Sequence, residues 1–82
     1  MNQAIQILDG FDYDSQHQAL KVVAINSGAL INCWIIDVLQ DEAAEFYQLH
    51  QFEIEEQLAS LISQEKWNTK GEIVLTKVDL TF

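Results

Sequence analysis

Arginine and proline are absent from this chain of 82 residues, cysteine occurs once, and four lysines stand against 13 aspartates and glutamates. Each shortage excludes something. Without arginine the commonest specific contact to a guanine edge is lost, and four lysines give little counter-charge to phosphates, so direct nucleic-acid binding is disfavoured. The lone Cys33 cannot close an internal disulfide, which fits a reducing compartment and leaves stability to packing. The longest apolar runs are interrupted by Asn26, Ser27, Asn32 and Asp37, short of the ~18 residues of a membrane span. The first eight residues carry no basic side chain, and Asp9 arrives too soon for a secretion signal, so a cytoplasmic protein with no membrane partner is expected. No linker, repeat or low-complexity tract divides the chain, and three isolated glycines mark turns; one domain over residues 1–82 is expected.

What is present is apolar and acidic. Hydrophobic residues make up 49% of the chain while the formal net charge is −9, a pairing that describes a globular domain with an acidic surface rather than a disordered chain. The segments 19–25 and 29–36 are rich in β-branched and apolar residues and are separated by Asn26-Ser27-Gly28, which predicts a β-hairpin. Residues Ala4 to Leu8 form a weaker candidate strand, followed by a loop from Asp9 to Gln16. From Asp37 the apolar period lengthens to that of a helix. Asp37 and Gln40 resemble a capping box, and Ala43, Tyr47, His50, Ile54, Leu58, Leu61 and Ile62 recur on one face as far as about Lys66, with Asn68 or Gly71 to end the helix. At ~1.5 Å per residue a helix over 41–66 would reach ~39 Å, so a kink near Leu49 to Phe52 is expected. The last segment alternates from Val74, placing Val74, Thr76, Val78, Leu80 and Phe82 on one side of a strand. The fold class is therefore α+β: a small antiparallel sheet of the hairpin, the C-terminal strand and the N-terminal candidate, covered on one face by a long or kinked helix.

Few residues suggest chemistry. Asp12 and Asp14, with Asp9 nearby, are spaced at alternate positions as calcium ligands are, but His17 and Val23 occupy positions that a calcium loop reserves for glycine and glutamate. His17, His50 and Cys33 lack the local pairing of zinc ligands, and Cys33 amid apolar neighbours reads as a small hydrophobe. Ser15, Ser27, Ser60 and Ser63 lie outside any nucleophile motif, and the glycines form no phosphate loop. No catalytic residue, cofactor or metal is expected, and the carboxylates Glu42, Glu45, Glu53 and Glu56 read as a solvated helix face. Trp34 and Trp67 are expected at the margin of the core. The anomaly is apolar bulk opposite the core stripe. Either the kink turns Phe46, Leu49 and Phe52 inward, or these three form a partner surface.

The run Phe11-Asp12-Tyr13-Asp14, the segment 19–25, Cys33-Trp34-Ile35, Phe52-Glu53-Ile54-Glu55, and Trp67 with Gly71-Glu72-Ile73-Val74-Leu75 resemble the domain of unknown function 1488 family over nearly the whole chain. The resemblance implies an α+β fold. It also implies a link to the shikimate pathway, because genes of the family often lie beside the shikimate dehydrogenase gene and some members carry the label of transcriptional regulator; it assigns no site residue. The expected function is a non-enzymatic module acting through a protein partner or self-association as a homodimer. The alternatives are a transcriptional regulator touching DNA, and a small-ligand binder, which would need a pocket joining Cys33 or His50 to a carboxylate.

Overall fold

The computed structural model describes residues 5–80. Five strands form one sheet: β1 (Ile5–Ile7), β2 (Asp12–Asp14), β3 (Ala19–Asn26), β4 (Ala29–Ile36) and β5 (Ile73–Thr76). The order across the sheet is β1-β3-β4-β5, with β2 also pairing to β3. The hairpin is tighter than the sequence predicts. Asn26 pairs with Ala29, leaving Ser27 and Gly28 at φ +54° and +87° as a two-residue turn whose twist matches that of the strands. Of the N-terminal candidate strand, Ile5–Ile7 pairs antiparallel to β3, while Ala4 lies outside the described residues.

Part of the expected loop over 9–16 is instead a strand. Asp12-Tyr13-Asp14 is a polar–apolar–polar triplet, and its alternation places Tyr13 towards the core, where the hydroxyl donates to the Val38 carbonyl. The two aspartates conceal this pattern by resembling turn formers. β1 and β2 thus form one interrupted border along β3, with Gly10 at φ +95° between them and its N–H donating to the Tyr47 hydroxyl at 2.9 Å.

After β4 a 3-10 turn (Gln40–Glu42) leads into α1 (Ala43–Ser63), which is about 31 Å long at ~1.5 Å per residue. The carboxylate that reaches back at its start is that of Glu42, accepting the Leu39 N–H at 2.9 Å, and not the expected Asp37–Gln40 pair. Asp37 stands at φ +68° in the preceding bend. The expected break is present at His50, whose backbone is non-helical at φ −115°, ψ 16°. α1 ends before Lys66: Glu65 takes φ +58°, and the Glu65 and Lys66 N–H groups bond back to Ile62 and Leu61 in a Schellman arrangement. Glutamate at a position that favours glycine hides this end in the sequence.

The helix lies on one face of the sheet. Its Phe46, Tyr47, Ile54, Leu58 and Ile62 join Leu20, Val22, Cys33, Ile35, Ile73 and Leu75 in one core. One crossing of the sheet returns the chain to the end from which β4 began, so β5 pairs with β4 in parallel; the remaining pairs are antiparallel. Val74 and Thr76 do share one side of β5, and it is the outer one: Ile73 and Leu75 face the core while Val74 is 48% exposed, and the strand stops at Thr76 instead of running on to Phe82. Residues 77–80 form a helical turn, α2 (Lys77–Leu80), and Phe82 lies outside the described residues. Thr76 and Asp79 make the reciprocal bonds of a capping box: the Asp79 carboxylate accepts the Thr76 N–H at 2.9 Å, and the Thr76 hydroxyl accepts the Asp79 N–H at 3.4 Å. That T-x-x-D spacing was the sequence signal for ending the strand here.

Deleting side-chain volume on the inner stripe and on the outer face of α1 should have different effects. Leu58→Ala is expected to lower the unfolding free energy by ~2–5 kcal/mol in urea titration. Phe52→Ala is expected to stay within ~0.5 kcal/mol. Glu42 supplies a pH test: the Leu39 N–H, then the Lys77 ammonium at 3.0 Å, hold its carboxyl below the usual glutamate range. A lowered folded pKa means stabilisation above the ordinary range that is lost as pH falls through the folded value. The urea-midpoint difference between wild type and Glu42→Gln should therefore be present at neutral pH and close in acid; a gap unchanged in acid contradicts this linkage.

Candidate interaction surfaces

Two apolar surfaces remain outside the core. The first lies on α1, where the expected trio is divided. Phe46 is 6% exposed and packs in the core, its ring 4.6 Å from that of His50 and 5.8 Å from the Lys77 nitrogen, so it belongs to no surface. Leu49 and Phe52 are 69% and 67% exposed. The bend at His50 accompanies the inward turn of Phe46 without burying its two neighbours, because Phe52 stands nearly half a turn from the buried stripe on either side of the break. Around Leu49 and Phe52 the helix presents Glu45, Glu53 and Glu56, and from Ala43 to Ser63 it contains no lysine. The Nδ1 of His50 lies 3.9 Å from Glu53.

The second surface is the sheet face that α1 leaves uncovered. Alternate residues of a strand point to opposite sides, so the register sets the rows of this face. Asp12, Lys21, Trp34 and Val74 lie side by side across β2, β3, β4 and β5, and Ile36 pairs with Thr76 beside them. Val23, Ile25 and Leu30 extend the apolar area towards the hairpin turn, with Leu30 70% exposed. A shallow concavity of about 330 Å³ opens over Trp34, lined by His17, Ile36, Val74, Lys70 and Glu72. The Lys21 nitrogen sits 5.9 Å from the Trp34 ring centroid, and the His17 ring is also 5.9 Å from it. Asp14 orients His17 through a 2.7 Å contact, and this hydrogen bond lowers the Asp14 pKa. Trp67, expected at the core margin, is exposed in the connection to β5.

Cys33 and His50 share no concavity with a carboxylate among those that line the described surface. Cys33 is buried on the inner face, its thiol donating weakly to the Ile31 carbonyl, and burial pushes its pKa up to about 12. The concavity at Trp34 includes neither Cys33 nor His50. Among the described residues no three histidine, cysteine, aspartate or glutamate side chains come together as a metal set. No helix of the described residues is long and apolar enough to cross a membrane.

The fold is shared. A family model described as "Protein of unknown function (DUF1488)" matches residues 5–75. The chain belongs to the DUF1488 family. A crystal structure of a protein of unknown function from this family, from Shewanella loihica PV-4, matches with a TM-score of 0.77 at 29% identity, covering 92% of this chain and 94% of that one. No curated protein matches the chain. The matched region runs from β1 to within β5, and thus contains both the helix surface and the rows of the open sheet face.

A thiol held protonated and out of water is a poor nucleophile. Native protein should therefore leave Cys33 unmodified by a thiol reagent at neutral pH, with full labelling in urea. Rapid labelling of the folded chain would contradict the burial.

Proposed function

We propose that this member of the DUF1488 family is a non-enzymatic module that works by associating with a basic protein partner through the outer side of α1. The observation that carries this reading is the pair Leu49 and Phe52, two large apolar side chains held in water on a helix whose flanking charges are the carboxylates of Glu45, Glu53 and Glu56, with no lysine along it. Apolar groups ringed by one sign of charge suit a partner that offers apolar groups ringed by the other, since the charges steer the encounter and the apolar contact holds it. Two charge placements weigh against direct contact with DNA. Lys77 is bonded to Glu42 at 3.0 Å, and Lys21 and Lys70 lie around Trp34 in company with Asp12, Asp14 and Glu72, which offset their charge towards phosphates. A role in regulating the shikimate pathway, as the family resemblance suggests, would then be exerted by binding a basic protein rather than the operator itself.

Affinity capture from the native cell at low and high salt tests this. Wild type is expected to retain a basic protein that Leu49→Lys and Phe52→Lys lose, with capture weakening as salt rises. Equal capture by wild type and both variants overturns the helix surface. Salt-sensitive retardation of DNA by the isolated protein overturns the protein-partner reading.

A further inference from the structure

The open sheet face differs from the helix surface in the signs of its charges. We infer that this face is a two-fold interface with a second copy of the same chain.

The argument begins with electrostatics. Two chains of charge −9 repel, so self-association is tolerable only across a patch that is itself nearly balanced. The outer side of α1 fails this condition, because a copy docked there would set Glu45, Glu53 and Glu56 against their own counterparts. The sheet face meets it. Two of the four lysines, Lys21 and Lys70, border the Trp34 concavity and its neighbouring row, together with Asp12, Asp14 and Glu72. A patch that carries both signs can complement itself, as a two-fold contact requires.

The register says how. A two-fold axis running along β4 near Trp34 lays the β2–β3 side of one copy over the β5 side of the other. Lys21 then approaches the other copy's Glu72, and Asp12 its Lys70. Asn32, Trp34 and Ile36 of β4 meet their own counterparts along the axis, and the aliphatic stem of Lys21 lies over the other copy's Val74. The same packing puts the two acidic helices on opposite outer sides of the dimer, as far apart as the fold allows.

Two sheets meeting in this way form an aligned β-sandwich, which removes Leu30 and Val74 from water.

Sedimentation equilibrium over a concentration series decides the matter. Wild type is expected to approach twice the 9.4 kDa chain mass, and the association to tighten when salt rises from roughly 20 mM to roughly 200 mM as the −9 charges are screened. Val74→Glu and Leu30→Glu, both at exposed positions, are expected to raise the dissociation constant by about tenfold or more. Phe52→Glu adds the same charge on the helix and should leave the dimer intact. Lys21→Glu should weaken association, and adding Glu72→Lys should restore it, an outcome that general repulsion or misfolding cannot produce. A wild type that stays at the single-chain mass throughout, sheet variants that associate as wild type does, or a Phe52→Glu that dissociates the dimer would each overturn the inference, while loss of the proposed helix partner would leave it standing.

Discussion

One helix against one side of a two-sided sheet is the constraint from which the rest of this structure follows. The chain has length for a single long helix, and α1 spends its apolar stripe, Tyr47, Ile54, Leu58 and Ile62, on the inner face of the sheet. Each large apolar side chain buried there contributes ~1.5–3 kcal/mol by leaving water, enough for the stripe to fix how helix and sheet sit. The second face has no helix to cover it. Its alternate positions mix Asp12, Lys21, Asn32 and Thr76 with Val23, Ile25, Leu30, Trp34, Ile36 and Val74, more apolar area than a permanently wet face usually carries. Covering it requires something other than the described chain.

Charge sorts the two exposed surfaces by the kind of contact each can make. Carboxylates exceed lysines so heavily that the location of a lysine is more informative than that of a glutamate. Lys77 is committed to tying α2 to the start of α1 through Glu42, with its nitrogen beside the Phe46 ring. Lys21 and Lys70 lie at the open sheet face, leaving α1 without any positive side chain along its length. The same composition thus creates one single-signed surface and one mixed surface. Single-signed surfaces select partners of the opposite sign, and mixed surfaces can pair with themselves. That both occur on a chain this small follows from the placement of two residues.

The hairpin, the helix, its break at His50 and the one-sided layering were legible because each rests on local periodicity, which the sequence displays directly. What escaped were the features decided by geometry beyond that window. The parallel pairing of β5 depends on where one helical crossing returns the chain, not on the composition of Ile73–Thr76. Its extent is hidden because the alternation through Phe82 looks continuous, whereas the Thr76–Asp79 capping box ends the strand after four residues. The segment of β2 reads as a loop because aspartate serves turns and strand borders alike, and only the inward Tyr13 distinguishes them. Of the expected partner surface, Leu49 and Phe52 were legible as apolar residues on a charged side. Phe46 was not, because it stands at the margin of the stripe, where the bend at His50 and the Lys77 contact decide which way the ring turns. The open sheet face went unrecognised although its residues were all in plain view: the hairpin segments are apolar at both odd and even positions, a pattern that signals a strand apolar on both sides.

Strand edges offer another route to association, by adding a strand from a partner, and here they are short, interrupted or partly capped. On β5 the Glu72 N–H and carbonyl are taken by Asn68, and the Thr76 N–H by Asp79, so the outer edge keeps little beyond the backbone groups of Val74 for an incoming strand. On the other side the border is split between β1 and β2, with Gly10 turned towards Tyr47 in the gap. Edges blunted at both sides while a broad apolar face stays open are what a sheet needs if it is to meet other molecules by its side chains and not by its backbone. Side-chain contact carries specificity that backbone pairing lacks, because every strand offers the same amides whereas only some surfaces match a tryptophan flanked by charges of both signs. The blunted edges therefore do more than prevent aggregation. They leave the faces as the surfaces on which recognition by this fold can be built.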